Sequence, residues 1–96
     1  MTYAVFVDDN FHPMDESERY PLGEFETLKA AIEAAQKIVD DYLLSAYQPG
    51  MTAQALADSY TSFGEDPFIV ETPRQSGGVL FSAWDYARRR CEEICR

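Results

Sequence analysis

What most constrains the fold of this 96-residue chain is one run of apolar residues at helical spacing. Leu28, Ile32, Ala35, Val39, Tyr42 and Ala46 recur at alternating steps of four and three, and Ala31, Ile38 and Leu43 widen the stripe. The opposite face carries Lys29, Glu33, Gln36, Lys37, Asp40 and Asp41, with Glu33 and Lys37 in the favourable i,i+4 order. This pattern predicts an amphipathic helix of about twenty residues, capped by Thr27 and stopped by Pro49-Gly50. A helix with one apolar face must bury it, so the remaining segments have to supply a covering layer.

Candidates for that layer flank the helix. Tyr3-Ala4-Val5-Phe6-Val7 is β-branched and aromatic and reads as a strand. The polar segment 8–18, with Pro13, reads as a loop of about ten residues, long for a hairpin. Alternation resumes over residues 19–26 with an irregularity at Gly23, and because Pro21 cannot donate to a ladder this strand is expected to lie at an edge or to have that position facing solvent. Thr52 caps a shorter helix whose Leu56, Tyr60 and Phe63 share a face, with Gly64 at its end. Glu65-Asp66-Pro67 reads as a turn, residues 68–72 as a third strand, 73–78 as a flexible connection, and Val79-Leu80-Phe81 as a fourth strand. Ser82 and Asp85 resemble a capping box for a last helix that buries Trp84, Ala87, Cys91 and Ile94. The expected order is ββααββα. It implies a single α+β domain over residues 1–96, with a four-stranded, mainly antiparallel sheet and helices packed on one face. Shifting the chain by 56 residues superposes Phe25 on Phe81 and Ala31 on Ala87, which supports a shared strand-to-helix geometry in the two halves.

Composition narrows the function classes. The chain is 46% hydrophobic and 14% aromatic, and one of this size buries roughly 65% of its unfolded surface, so disorder is excluded. No apolar run reaches the roughly 18 residues of a membrane span, and Asp8, Asp9, Asp15, Glu16 and Glu18 speak against a signal peptide. A soluble, cytoplasmic protein is expected. The formal charge is −9, divided as −11 over residues 1–72 and +2 over residues 73–96. Nucleic-acid binding would fall to Arg88, Arg89 and Arg90, which on a helix spread over about 300° of arc and cannot share one phosphate strand. Pairing with Asp85, Glu92 and Glu93 explains them better.

The densest oxygen ligands lie at Asp8, Asp9 and Asn10, beside Phe11 and His12, followed by Asp15, Glu16 and Glu18. A hard cation needs several converging oxygens, but the spacing lacks the EF-hand pattern, and Asp and Asn at a strand end form side-chain turns. His12 is the sole histidine, so any imidazole chemistry must be its own. Cys91 and Cys95 stand i,i+4 near an apolar stripe and read as buried free thiols rather than half of a zinc site. No serine sits in a nucleophile-elbow context and Gly77-Gly78 lacks a phosphate-binding continuation. No catalytic residue, metal ligand or cofactor is therefore assigned.

Four segments carry a resemblance: Val7-Asp8-Asp9-Asn10-Phe11-His12, residues 15–20, Gly64-Glu65-Asp66-Pro67-Phe68, and residues 81–87 around Trp84. They resemble small, acidic, uncharacterised bacterial proteins. The resemblance implies a bacterial, cytosolic protein and brings no activity or cofactor. The expected function is non-enzymatic binding of another protein, or of a second copy as a homodimer. Asp8, Asp9, Phe11, His12, Tyr47, Tyr60 and Tyr86 are the candidate contact residues, as aromatics among acids make contact anchors. Two alternatives stand beside it. One is an acidic mimic of nucleic acid that inhibits a basic protein; the other is a small metal- or ligand-binding enzyme built on Asp8, Asp9 and His12.

Overall fold

The computed structural model describes residues 2–11, 19–73 and 79–95. Its elements are β1 (Thr2–Asp9), β2 (Tyr20–Phe25), α1 (Leu28–Ala46), α2 (Ala53–Phe63), β3 (Glu65–Thr72) and α3 (Ala83–Ile94). The strands form one antiparallel sheet in the order β2-β1-β3. The expected four-stranded sheet is thus corrected to three strands among the described residues: residues 79–81 are not extended into a ladder. Val79 is 84% exposed, while Phe81 packs its ring against the core directly before the cap of α3. Phe81 buries its apolar surface as a helix-entry residue, without strand pairing. A second difference concerns residues 65–67, expected as a turn, which belong to β3. Gly64 alone makes the connection: its N–H donates to Tyr60 O at 2.8 Å, ending α2, and its carbonyl accepts from Asn10 N at 2.9 Å, starting the ladder with β1.

Local signals explain the helices. Thr27 Oγ1 accepts from Ala30 N and Thr52 Oγ1 from Ala55 N, both at 3.1 Å, and Ser82 Oγ accepts from Asp85 N at 3.3 Å. Each bond satisfies a backbone donor that the first helical turn leaves without a partner. Gly50, at φ +90°, makes the turn between α1 and α2 in a conformation that side-chain-bearing residues avoid.

Packing divides into two regions. Val5 of β1 meets Ala31 and Ala35 of α1, with Tyr3, Phe25, Ile69 and Phe81 around them. Val39 and Leu43 of α1, Leu56 and Tyr60 of α2, and Ala83, Ala87 and Cys91 of α3 form the three-helix region. The most buried line of α1 is Ala31, Ala35, Val39 and Leu43, one edge of the predicted stripe, because the two alanines let the helix approach the sheet closely. Trp84, expected in the core, is 44% exposed, and Ala83 takes the buried position instead. Ala4, Phe6, Phe68 and Val70 belong to neither region. Phe6 and Phe68 stack across the β1–β3 pair, with ring centroids 5.7 Å apart.

Candidate functional site

The register of the sheet assembles a corner at the end of β1. Asp8 lies opposite Asp66, Asp9 opposite Glu65, and Val7 opposite Tyr20. Four acids from two strands and a tyrosine from the third therefore meet where α2 gives way to β3. Asp8, Asp9, Tyr20, Phe63 and Glu65 line a cavity of about 260 Å³ there.

Hydrogen bonds hold the corner in shape. Asp9 Oδ1 accepts from Phe11 N at 2.9 Å, the side-chain turn expected of an aspartate at a strand end. That turn brings the Phe11 ring onto Phe63, with centroids 5.5 Å apart; the two rings are 58% and 62% exposed. Tyr20 donates to Glu65 Oε2 at 2.5 Å, and Tyr60 donates to Glu65 O at 2.7 Å. Arg19 donates to both oxygens of Asp8, at 2.6 and 3.2 Å, and lays its guanidinium 5.0 Å from the centroid of Phe68. Asn10 is the hub beneath: its side-chain nitrogen donates to Tyr60 O at 2.9 Å, and its side-chain oxygen accepts from Trp84 Nε1 at 3.2 Å.

The electrostatics follow from crowding. Burial, together with the charge of Asp8 across the ladder, pushes Asp66 up to about 6. Burial and the bond to Glu65 push the Tyr20 hydroxyl up to about 12, so it remains a donor at neutral pH. Because the folded state raises Asp66 above the ordinary carboxylate value, it favours the protonated form. Its stabilising contribution is complete below about pH 4 and is lost as pH rises through about 6. Asp66→Asn is thus expected to raise the melting temperature near pH 7.5 by roughly 5 °C, after allowing for solvent screening, and to flatten the profile between pH 4 and 6.5. Thermal melts of both proteins across that range check it.

The seven predicted contact residues separate in space. Asp8, Asp9 and Phe11 meet at the corner, and His12 lies outside the described residues. Tyr60 is fully buried below the corner. Tyr47 ends α1 and packs against the three-helix region. Tyr86 belongs to the seam between α1 and α3, where its hydroxyl donates to both oxygens of Asp40 at 2.9 and 3.0 Å and Arg90 Nε donates to the same carboxylate at 2.9 Å. Asp40→Ala is expected to lower stability by about 1–2 kcal/mol, since one carboxylate serves both donors, whereas the exposed neighbour Asp41→Ala costs at most about 0.5 kcal/mol. Denaturant melts check the pair.

Tyr20, Phe63 and Glu65 join the corner without having been singled out in sequence. The alternation of residues 19–26 held a clue to Tyr20, but the long-range register that brings Glu65 to it had no local signal. Acids outside the corner take nearby bases: Asp41 pairs with Lys37 at 2.8 Å and Asp85 with Arg88 at 3.5 Å. Among the described residues, no three His, Cys, Asp or Glu side chains converge as metal ligands. Cys91 is buried and its thiol is pushed up to about 11, first by burial and then by Cys95, which keeps it protonated and inert. No described helix is long and apolar enough to cross a membrane. No family model, curated protein or solved structure matches the chain.

Proposed function

We propose that this α+β domain is a non-enzymatic protein-binding module whose corner takes a lysine or arginine side chain of a basic partner. The observation that carries this reading is the cavity lined by Asp8, Asp9 and Glu65 together with Phe63 and Tyr20, where Arg19 already occupies Asp8 and leaves Asp9 and Glu65 to meet an incoming cation. A cation placed there meets opposite charge and aromatic faces at once, and a guanidinium gains from both. Phe11 and Phe63 expose much of their rings, which supports a contact role better than a structural one. The net charge of −9 speeds encounter with a basic partner and makes the association salt-sensitive.

Trp84, the sole tryptophan, is bonded to Asn10 next to Phe11 and reports on the corner by its fluorescence. Titration with an arginine-rich octapeptide at low ionic strength is expected to give a saturable change that weakens at about 0.5 M salt. Phe63→Ala and Asp9→Asn should each weaken binding roughly three- to tenfold without loss of fold. No binding at low salt, or unchanged affinity in Phe63→Ala, would overturn the proposal.

A further inference from the structure

A second cavity, of about 490 Å³, opens between α1 and the start of α3 and shares no lining residue with the corner. Its aromatic wall is held in place. Phe81 packs against both core regions, and the Tyr86 ring, anchored by the bonds of its hydroxyl to Asp40, stands 5.9 Å from it between centroids. Ile32 of α1 adds to the apolar lining. A volume of this size accommodates a small organic molecule, and fixed rings offer it flat apolar faces.

Polar side chains around this cavity have bonding capacity that the fold does not use. Among the described residues, the Arg89 guanidinium meets no carboxylate and lies 5.7 Å from the Tyr86 centroid, whereas Arg19, Lys37, Arg88 and Arg90 are each paired with an acid. The half-buried Gln36 amide has no hydrogen-bond partner among the described residues, and Ser82 Oγ, which accepts from Asp85 N, keeps its own proton to donate. Asp85 lines the same cavity one helical turn before Arg89, a spacing that sets the two side chains side by side on α3. The contact of Asp85 with Arg88 is long, 3.5 Å, between side chains 73% and 70% exposed, and such a solvated pair yields readily to another donor.

We infer that this cavity binds a free α-amino acid with an aromatic side chain. Charge decides the class. A simple anion drawn to Arg89 is repelled by Asp85, and a simple cation drawn to Asp85 is repelled by Arg89. A molecule that carries a carboxylate and an ammonium on one carbon satisfies both, because the two protein charges stand one helical turn apart. Its carboxylate accepts from Arg89, its ammonium donates to Asp85, and its ring lies against Phe81, Tyr86 and Ile32. The Gln36 amide and the Ser82 hydroxyl line the same space and supply donors for the remaining carboxylate lone pairs.

The experiment titrates isotope-labelled protein with L-phenylalanine, followed by NMR, and repeats the titration with phenylpropionate and with phenethylamine, which each keep the ring and one of the two charges. L-Phenylalanine is expected to give saturable shifts of the Gln36, Tyr86 and Arg89 amides with a Kd of order 1 mM, and each single-charge analogue to bind at least roughly fivefold more weakly. Arg89→Gln and Asp85→Asn, both at exposed positions, should each weaken L-phenylalanine at least roughly fivefold while the spectrum stays that of the folded protein. No saturation by about 10 mM, equal affinity for either analogue, or unchanged affinity in Arg89→Gln would overturn the inference. Each of these outcomes leaves capture of a basic side chain at the corner standing, since the arginine-rich probe is read at other residues.

Discussion

Replacing Gly64 by alanine is expected to destabilise the fold by about 3 kcal/mol, lowering the melting temperature by roughly 15 °C. The cause is space rather than backbone conformation. A Cβ at this position would lie 2.5 Å from Tyr60 Cδ1, 2.9 Å from Cε1 and 2.8 Å from the Tyr60 carbonyl oxygen. The ring cannot swing aside, because Tyr60 is fully buried and its hydroxyl is tied to Glu65 O. Nor can residue 64 move freely, since its N–H closes α2 and its carbonyl opens the β1–β3 ladder. Gly23→Ala is the matched control: its nearest atoms lie at 3.9 Å, and the expected change is within about 0.5 kcal/mol. A Gly64→Ala melt within 2 °C of the parent would show that the contact is relieved at no cost. Adding Tyr60→Leu to Gly64→Ala should recover part of the ring clash and none of the carbonyl clash, a non-additivity that a double-mutant cycle reads directly.

The second large effect is expected at Leu43. Its side chain is fully buried where α1, α2 and α3 meet, between Val39, Leu56, Tyr60 and Cys91. Leu43→Ala removes that apolar volume and leaves a cavity that three helices cannot close together, at a cost of roughly 2–5 kcal/mol. The adjacent Leu44 points the other way and is 59% exposed, so Leu44→Ala should change stability by less than about 0.5 kcal/mol. Chemical denaturation of the two variants tests whether the helix is phased as described. Equal losses would mean that the three-helix region is packed differently.

Both positions show what sequence can and cannot convey. The phase of α1 was readable to within one edge of its stripe, because apolar spacing reports the buried face directly. The caps Thr27, Thr52 and Ser82 were readable because a helix start is a local event settled within four residues. The fourth strand failed for the opposite reason. Val79-Leu80-Phe81 has strand-forming composition, but so short an apolar run carries no periodicity that separates a strand from a helix entry. The beginning of β3 was missed because Glu65-Asp66-Pro67 has turn chemistry, and only pairing with Val7, Asp8 and Asp9 holds it extended. The same division holds at the corner. Asp8, Asp9 and Phe11 were legible as neighbours, whereas Tyr20, Phe63 and Glu65 arrive through sheet register and the tight reversal at Gly64, neither of which leaves a local mark.

The placement of β1 between its two partners bears on the order in which the chain can become organised. Its pairing with β2 closes a short span, but its pairing with β3 waits for residues 65–72, and the Asn10–Trp84 bond waits for residue 84. During vectorial synthesis the central strand therefore precedes half of its hydrogen-bonding partners by more than fifty residues. It spends that interval in at most a two-stranded hairpin, which is marginal in water. Ribosome-bound chains that stop short of β3 should be protease-sensitive throughout, and resistance should appear in one step once both β3 and α3 have emerged.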